Sequence, residues 1–202
     1  MRKGIRMIAV AATLFAVAAA VAVEYELKWD NGTISGGRHY VTGPDIWVGN
    51  DFDVSTLKTT HRYLRQLGVV MGPGQNGVWD GFRLAIWAWP GGSKIWPESG
   101  VPVFVKPTGG TAWHWFDVNW VLPSQYTAFI AAVEQYYNPP NCDDIFVDTG
   151  PKLNHSWMGY GTPTWYPWPE NNNVMVRVRY NPDYSGSAVV PMSLGRVKAL
   201  YE

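Results

Sequence analysis

DGFRLAIWAWP, residues 80–90, decides the fold class of this chain. Phe82, Leu84, Ile86 and Ala88 fall on one side of an extended segment, Arg83, Ala85, Trp87 and Trp89 on the other. A period of two is the spacing of a strand, whereas a helix brings together residues three and four apart. Pro90, Gly91 and Gly92 then close the segment as a turn. The same two-faced pattern returns in WHWFDVNWVL (113–122), with His114, Phe116, Val118 and Trp120 against Trp113, Trp115, Asp117 and Asn119. VMVRVRY (174–180) repeats it with Val174, Val176, Val178 and Tyr180 inward and Arg177 and Arg179 outward.

Working outward, further strands are expected at VEYELKWD (23–30), IWVGNDFDV (46–54), HRYLRQLGVVM (61–71), KIW (94–96), VPVFVKP (101–107) and DIFVDTG (144–150). QYTAFIAAVEQYY (125–137) fits a helical stripe through Phe129, Ala132, Val133, Tyr136 and Tyr137, and it also alternates. Its short, proline-rich boundaries favour a strand. The chain holds 21 Gly, 15 Pro, 12 Trp and 11 Tyr, a composition of short elements, frequent turns and large buried rings. The expectation is an all-β fold, a single antiparallel β-sandwich or jelly roll over residues 23–181, followed by a tail at 182–202.

The first twenty-two residues read as a leader. Arg2, Lys3 and Arg6 precede an uncharged run from Met7 to Val21, and Ala20-Val21-Ala22 supplies the small-x-small pattern of a cleavage site. The run is short of the roughly twenty residues that a membrane anchor needs. No cysteine follows it to carry a lipid, and a pilin-type leader cut after Gly4 would want an acidic residue where Ala9 stands. The implied location is outside the cytoplasm, secreted or on the cell surface of a bacterium, with membrane contact only through the uncleaved leader.

The whole chain has 16 basic and 16 acidic residues; without the leader, 13 basic face 16 acidic. No basic stripe exists, so nucleic acid is excluded as a partner. One cysteine, Cys142, excludes an internal disulfide; its thiol is either buried, which is the expectation, or pairs between molecules.

Four phrases carry a resemblance: YELKWDNGT (25–33), DGFRLAIWAWPGG (80–92), AFIAAVEQYYNPPNCDDIFVDTG (128–150) and the late W-x-P followed by NNNVMVRVRY (171–180). Together the chain resembles uncharacterised jelly-roll-like modules of secreted bacterial proteins, over most of residues 24–180. The resemblance implies a non-catalytic accessory or surface domain. The C-terminal sorting domain usual in such proteins has no counterpart in SLGRVKAL (193–200).

Catalytic signals are scarce. His39, His61, His114 and His155 show no metal-ligand spacing, and His114 alternates with core positions as a packed group would. No nucleophile elbow is present, and Cys142 has no histidine partner in sequence. Asp143, Asp144 and Asp148 form the densest acidic cluster, a set of oxygen ligands for Ca²⁺ or simply a solvated loop. Glu134 with one of these aspartates would make the carboxylate pair of a glycan-active enzyme.

The aromatics are the best functional signal. Trp87, Trp89, Trp113 and Trp115 fall on outer faces, and a second group (Trp157, Tyr160, Trp165, Tyr166 and Trp168) sits in a loop-like stretch. These rings are either a contact surface or two clusters that bury one another. Two functions follow. One is an extracellular self-assembling subunit of a surface layer or filament, whose N-terminal strand (Val23, Tyr25, Leu27, Trp29) completes a neighbour's sheet. The other is a carbohydrate-binding module that stacks these tryptophans on polysaccharide. Such modules travel with catalytic domains, and the reading of this chain as having none tips the expectation toward assembly.

Overall fold

A computed structural model describes residues 25–38, 46–55, 62–74, 76–135, 142–160 and 164–181. The leader at 1–22, Val23 and the tail at 182–202 lie outside the described residues. Thirteen strands and no helix are found among them: β1 (Tyr25–Leu27), β2 (Ile34–Arg38), β3 (Ile46–Asp53), β4 (Arg62–Gly72), β5 (Phe82–Ala88), β6 (Lys94–Trp96), β7 (Val103–Val105), β8 (Ala112–Leu122), β9 (Ala128–Gln135), β10 (Asp144–Asp148), β11 (Ser156–Tyr160), β12 (Trp165–Pro167) and β13 (Val176–Asn181).

They form two antiparallel sheets. In the first, β8 pairs with one edge of β4, and β13 and β10 share the other edge end to end. Beyond these lie β1 on β13 and β2 on β10. The second runs β12-β11-β3-β9-β5, with β6 and β7 both on the far side of β5. Between the sheets lies one hydrophobic core, to which Phe82, Leu84 and Ile86 of β5, Val176 and Val178 of β13, and Val118, Trp120 and Leu122 of β8 all contribute. The fold is therefore all-β and a sandwich, with the inward faces of β5, β8 and β13 as the alternation predicts.

The segment 125–137 resolves as the strand β9 over Ala128–Gln135. It is central, paired with β3 on one side and β5 on the other. Phe129, Ala131 and Val133 face the main core, while Ile130 and Ala132 join a second apolar cluster on the outer side. A strand buried on both faces loses the polar-apolar alternation, which is why its period was ambiguous.

Three strands were not anticipated. β2 reads ISGGR, without apolar alternation, and is held as an edge by β10. The loop-like stretch 154–170 contains β11 and β12, which extend the second sheet beyond β3.

Polar residues also tie the two sheets together. Asn50, fully buried on β3, donates from Nδ2 to the carbonyls of Val174 and Val176 at 2.9 Å each, and its Oδ1 accepts from Ser156 Oγ at 2.8 Å. Buried amides and hydroxyls are stable only when paired, so this set fixes the relative position of the sheets at one end.

Candidate functional site

The N-terminal strand β1 is seated on β13 with Tyr25 opposite Tyr180, Glu26 opposite Arg179 and Leu27 opposite Val178. Leu27 and Trp29 turn inward and pack against the core. Trp29 donates Nε1 to the Asp51 carbonyl at 2.6 Å and stacks on His155, ring centroids 3.7 Å apart and planes 9° from parallel. The Asp51 carboxylate holds this corner from beneath, with Trp157 Nε1 at 2.7 Å and His155 Nδ1 at 3.2 Å from Oδ1.

On its outward side the strand is held by charge. Asp30, fully buried in its side chain, is gripped by both Nε and Nη2 of Arg177 and also accepts from the Gly32 amide. Glu26 accepts from Arg177 Nη1 at 2.8 Å and lies 3.6 Å from Arg179 Nε. The hydrogen bond to Asp30, with Coulomb attraction to Asp30 and Glu26, raises the Arg177 pKa further against the opposing effect of burial. Bidentate arginine–carboxylate contacts are among the stronger charge-assisted bonds.

Arg177 and Arg179 also face β8. Their guanidinium carbons lie 4.2 Å from the Trp113 ring centroid and 3.6 Å from that of Trp115. Trp113 and Trp115 stack on each other at 5.7 Å. Trp115 reaches the arginines by lying across Gly68 of β4, where a Cβ would fall 2.6 Å from its ring. Gln66 continues the row, accepting from Arg179 and donating to Asp117. One network thus crosses four strands, from Asp30 and Glu26 to Trp113 and Trp115.

The opposite face, outside the second sheet, carries the other aromatic cluster. Trp89 meets Trp157 at 4.5 Å, Trp87 meets Trp165 at 5.8 Å and Trp47 at 5.6 Å, the last two edge to face. Ala85, Ala132 and Gly49 make a low floor that lets rings from β5 and from β11–β12 meet over β3 and β9. Lys94 lies over Trp87 at 5.1 Å. The indole Nε1 atoms of Trp87 and Trp165 are buried without a hydrogen-bond partner among the described residues. Edge-to-face packing is the favoured aromatic geometry, and it turns ring faces toward neighbours rather than solvent.

The sequence-derived candidates therefore separate into different environments. Trp87, Trp89, Trp157 and Trp165 come together and bury one another on one face. Trp113 and Trp115 sit on the other with the arginines. Trp168 joins neither: it is fully buried in the main core with Nε1 on Asn172, and it offers no face to a partner. Tyr25 and Leu27 are on β1, Trp29 just beyond it, and Val23 lies outside the described residues.

The aspartates also part company. Asp143 is fully buried and accepts from the Asp80 and Gly81 amides; burial outweighs these bonds and pushes its carboxyl upward. Asp148, also buried, accepts from the backbone amides of Asn31 and Asn173 and from Asn173 Nδ2. Asp144 is partly exposed on β10. No group of three or more His, Cys, Asp or Glu side chains suited to a metal ion occurs among the described residues. Glu134 is ion-paired with Arg83 at 3.4 Å. Cys142 is a buried free thiol. His114 packs edge-on against Trp79 at 5.1 Å, and burial lowers its pKa.

Sequence reasoning missed Asp51, His155 and Arg177. The adjacent polar pair Asn50-Asp51 within an otherwise apolar strand was the available signal, since mid-strand polar residues must find partners. No family model, curated protein or solved structure matches this chain, so the comparisons leave the resemblance to secreted jelly-roll modules as an expectation.

Proposed function

We propose that this protein is an extracellular structural subunit that assembles by exchanging its N-terminal strand between copies. The cleaved leader at 1–22, the surface or secreted location and the jelly-roll winding belong to the same reading. The observation that carries it is the seat of β1. This three-residue edge strand and the residues just after it bond mainly to segments remote in sequence: β13, Asp51 and His155. A second copy supplies the same partners in the same geometry, so an exchanged strand loses none of them. The turn Asp30-Asn31-Gly32, with Gly32 at φ 83°, is the hinge that would straighten. Arg177 would recognise the incoming strand through Asp30 and Glu26. Transfer from copy to copy in one direction is heterologous and builds a filament rather than a closed dimer.

The carbohydrate reading has less behind it. All twelve tryptophans are buried or half-buried, and outside the second sheet Trp87 packs edge to face with Trp47 and Trp165.

A charge swap tests the exchange. Asp30→Arg and Arg177→Asp chains are prepared separately, and each alone sets like charges at every seat. Neither is expected to form filaments under negative-stain electron microscopy. In the mixture, the strand of the Asp30→Arg chain meets the seat of the Arg177→Asp chain with opposite charges restored. The remaining strands and seats are native, so filaments return. Filaments that persist after deletion of Val23–Asp30, or a mixture that stays dispersed, would sink the exchange.

A further inference from the structure

We propose that the Ala112–Phe116 half of β8 is a second self-association surface, which pairs antiparallel with the same segment of another copy. This interface is separate from the β1 seat and does not depend on exchange. Strand β8 borders the first sheet and, among the described residues, pairs only with β4. It is eleven residues long, whereas the other edge strands β1, β2, β6, β7 and β12 have three to five. A long edge presents a row of backbone donors and acceptors that template a further strand, and proteins blunt such edges with charges, bulges and brevity.

The two halves of β8 differ in this respect. From Asp117 onward the edge is blunted: the register with β4 shifts between Leu64 and Gln66, Asn119 has φ 46°, and Asp117 is exposed. From Ala112 to Phe116 the ladder opposite Met71–Leu67 is unbroken. The five residues Ala-Trp-His-Trp-Phe include no proline and no carboxylate or ammonium group. Burial lowers the His114 pKa and so favours its neutral form. One half is protected and the other is open.

A second copy fits the open half by register and by charge. Antiparallel pairing centred on His114 places Trp113 opposite Trp115 of the other copy, twice, and the small, exposed Ala112 opposite Phe116. In each copy Trp113 and Trp115 lean over β4 toward their own Arg177 and Arg179, so one face of the joined ladder carries an indole pair on either side of the junction with the guanidinium groups outermost. A segment without carboxylate or ammonium groups meets its own copy without charge repulsion. The N-terminal strand is a poorer occupant, because Glu26 and Asp30 already have partners on β13. The blunted half stops the pairing after about five residues, well short of a standard interface. The isolated contact is therefore weak, and along a filament its repetition becomes lateral bundling.

The test uses the secreted chain carrying Trp29→Ala, which weakens the seat of the exchanged strand at Asp51 and His155 and leaves the contacts of Arg177 with Asp30 and Trp113 in place. Sedimentation velocity up to millimolar concentration is expected to show a monomer–dimer equilibrium. Ala112→Lys, a change at an exposed edge position, is expected to weaken the dimer by about tenfold or more at an unchanged melting temperature. Hydrogen exchange at the 112–116 amides should slow as concentration rises, while that at 117–122 should not. A chain that stays monomeric throughout overturns the proposal. So does a dimer indifferent to Ala112→Lys, or one whose added protection lies elsewhere. If the charge-swap mixture fails to form filaments while this dimer persists, exchange is wrong and the β8 interface stands.

Discussion

Single side chains in this molecule act through what they exclude. His114 shows this most directly. It lies between the sheets against Trp79, and desolvation holds its imidazole below the ordinary range near 6.5. In the unfolded chain the same ring takes a proton as the pH falls through about 6.5, whereas in the folded chain it resists. The unfolded state then binds more protons, so this contribution to stability is fully present above that pH and is lost as the pH drops below it. The raised carboxyl of Asp143 acts in the other direction, its charge costing stability at neutral pH and the cost fading on acidification. The expected outcome is that His114→Gln reduces the loss of urea midpoint between about pH 7 and pH 5 relative to the parent chain. An identical loss in both chains would remove His114 from the account. The histidine's inward position was legible from its alternation with Phe116 and Val118. Trp168 was not legible: nothing in WYPWPE (165–170) separates the residue that enters the core from Trp165, which stays on the outer face.

At the scale of elements, the contrast between small and large residues governs the two outer faces. Gly68 on β4 is the gap across which Trp115 reaches the arginines of β13, and Gly49 on β3 is the point where β9 approaches so closely that a Cβ would fall 2.2 Å from the Ala131 carbonyl oxygen. Gly68→Val is expected to lift Trp115 from β4 and separate it from Arg179. The cost should be about 1–3 kcal/mol in chemical denaturation, with a change in tryptophan fluorescence. Retained stability and unchanged emission would count against the ladder as a structural device. The strands themselves were readable wherever one face was core and the other polar, as in β13. Reading failed in two opposite circumstances. β9 was ambiguous because both of its faces are covered, and β11, β12 and β2 were missed because short strands containing Gly or Pro borrow their geometry from a neighbour.

For the whole molecule, the pairing of distant segments sets the behaviour. β1 closes on β13, and Asn31 bonds to Asp148, 117 residues further on. One core spans both sheets and receives side chains from nearly every strand. Neither sheet can persist without the other, so the unassembled chain should unfold in a single calorimetric transition, with van't Hoff and calorimetric enthalpies in agreement. Two resolved transitions would show that the outer aromatic cluster or one sheet melts independently.

The sequence by itself determined the all-β class, the inward faces of the long strands, the packed position of His114 and the absence of an internal disulfide. These follow from local rules: a period of two, turn residues at fixed places, and too few cysteines for a disulfide. Only the tertiary structure decided which tryptophans meet, which of them enters the core, how Arg177 joins Asp30 and Glu26 to Trp113, and which strands border each sheet among the described residues. Those outcomes depend on strand order and register between segments far apart in the chain, and side-chain alternation specifies a face without specifying the neighbour across it.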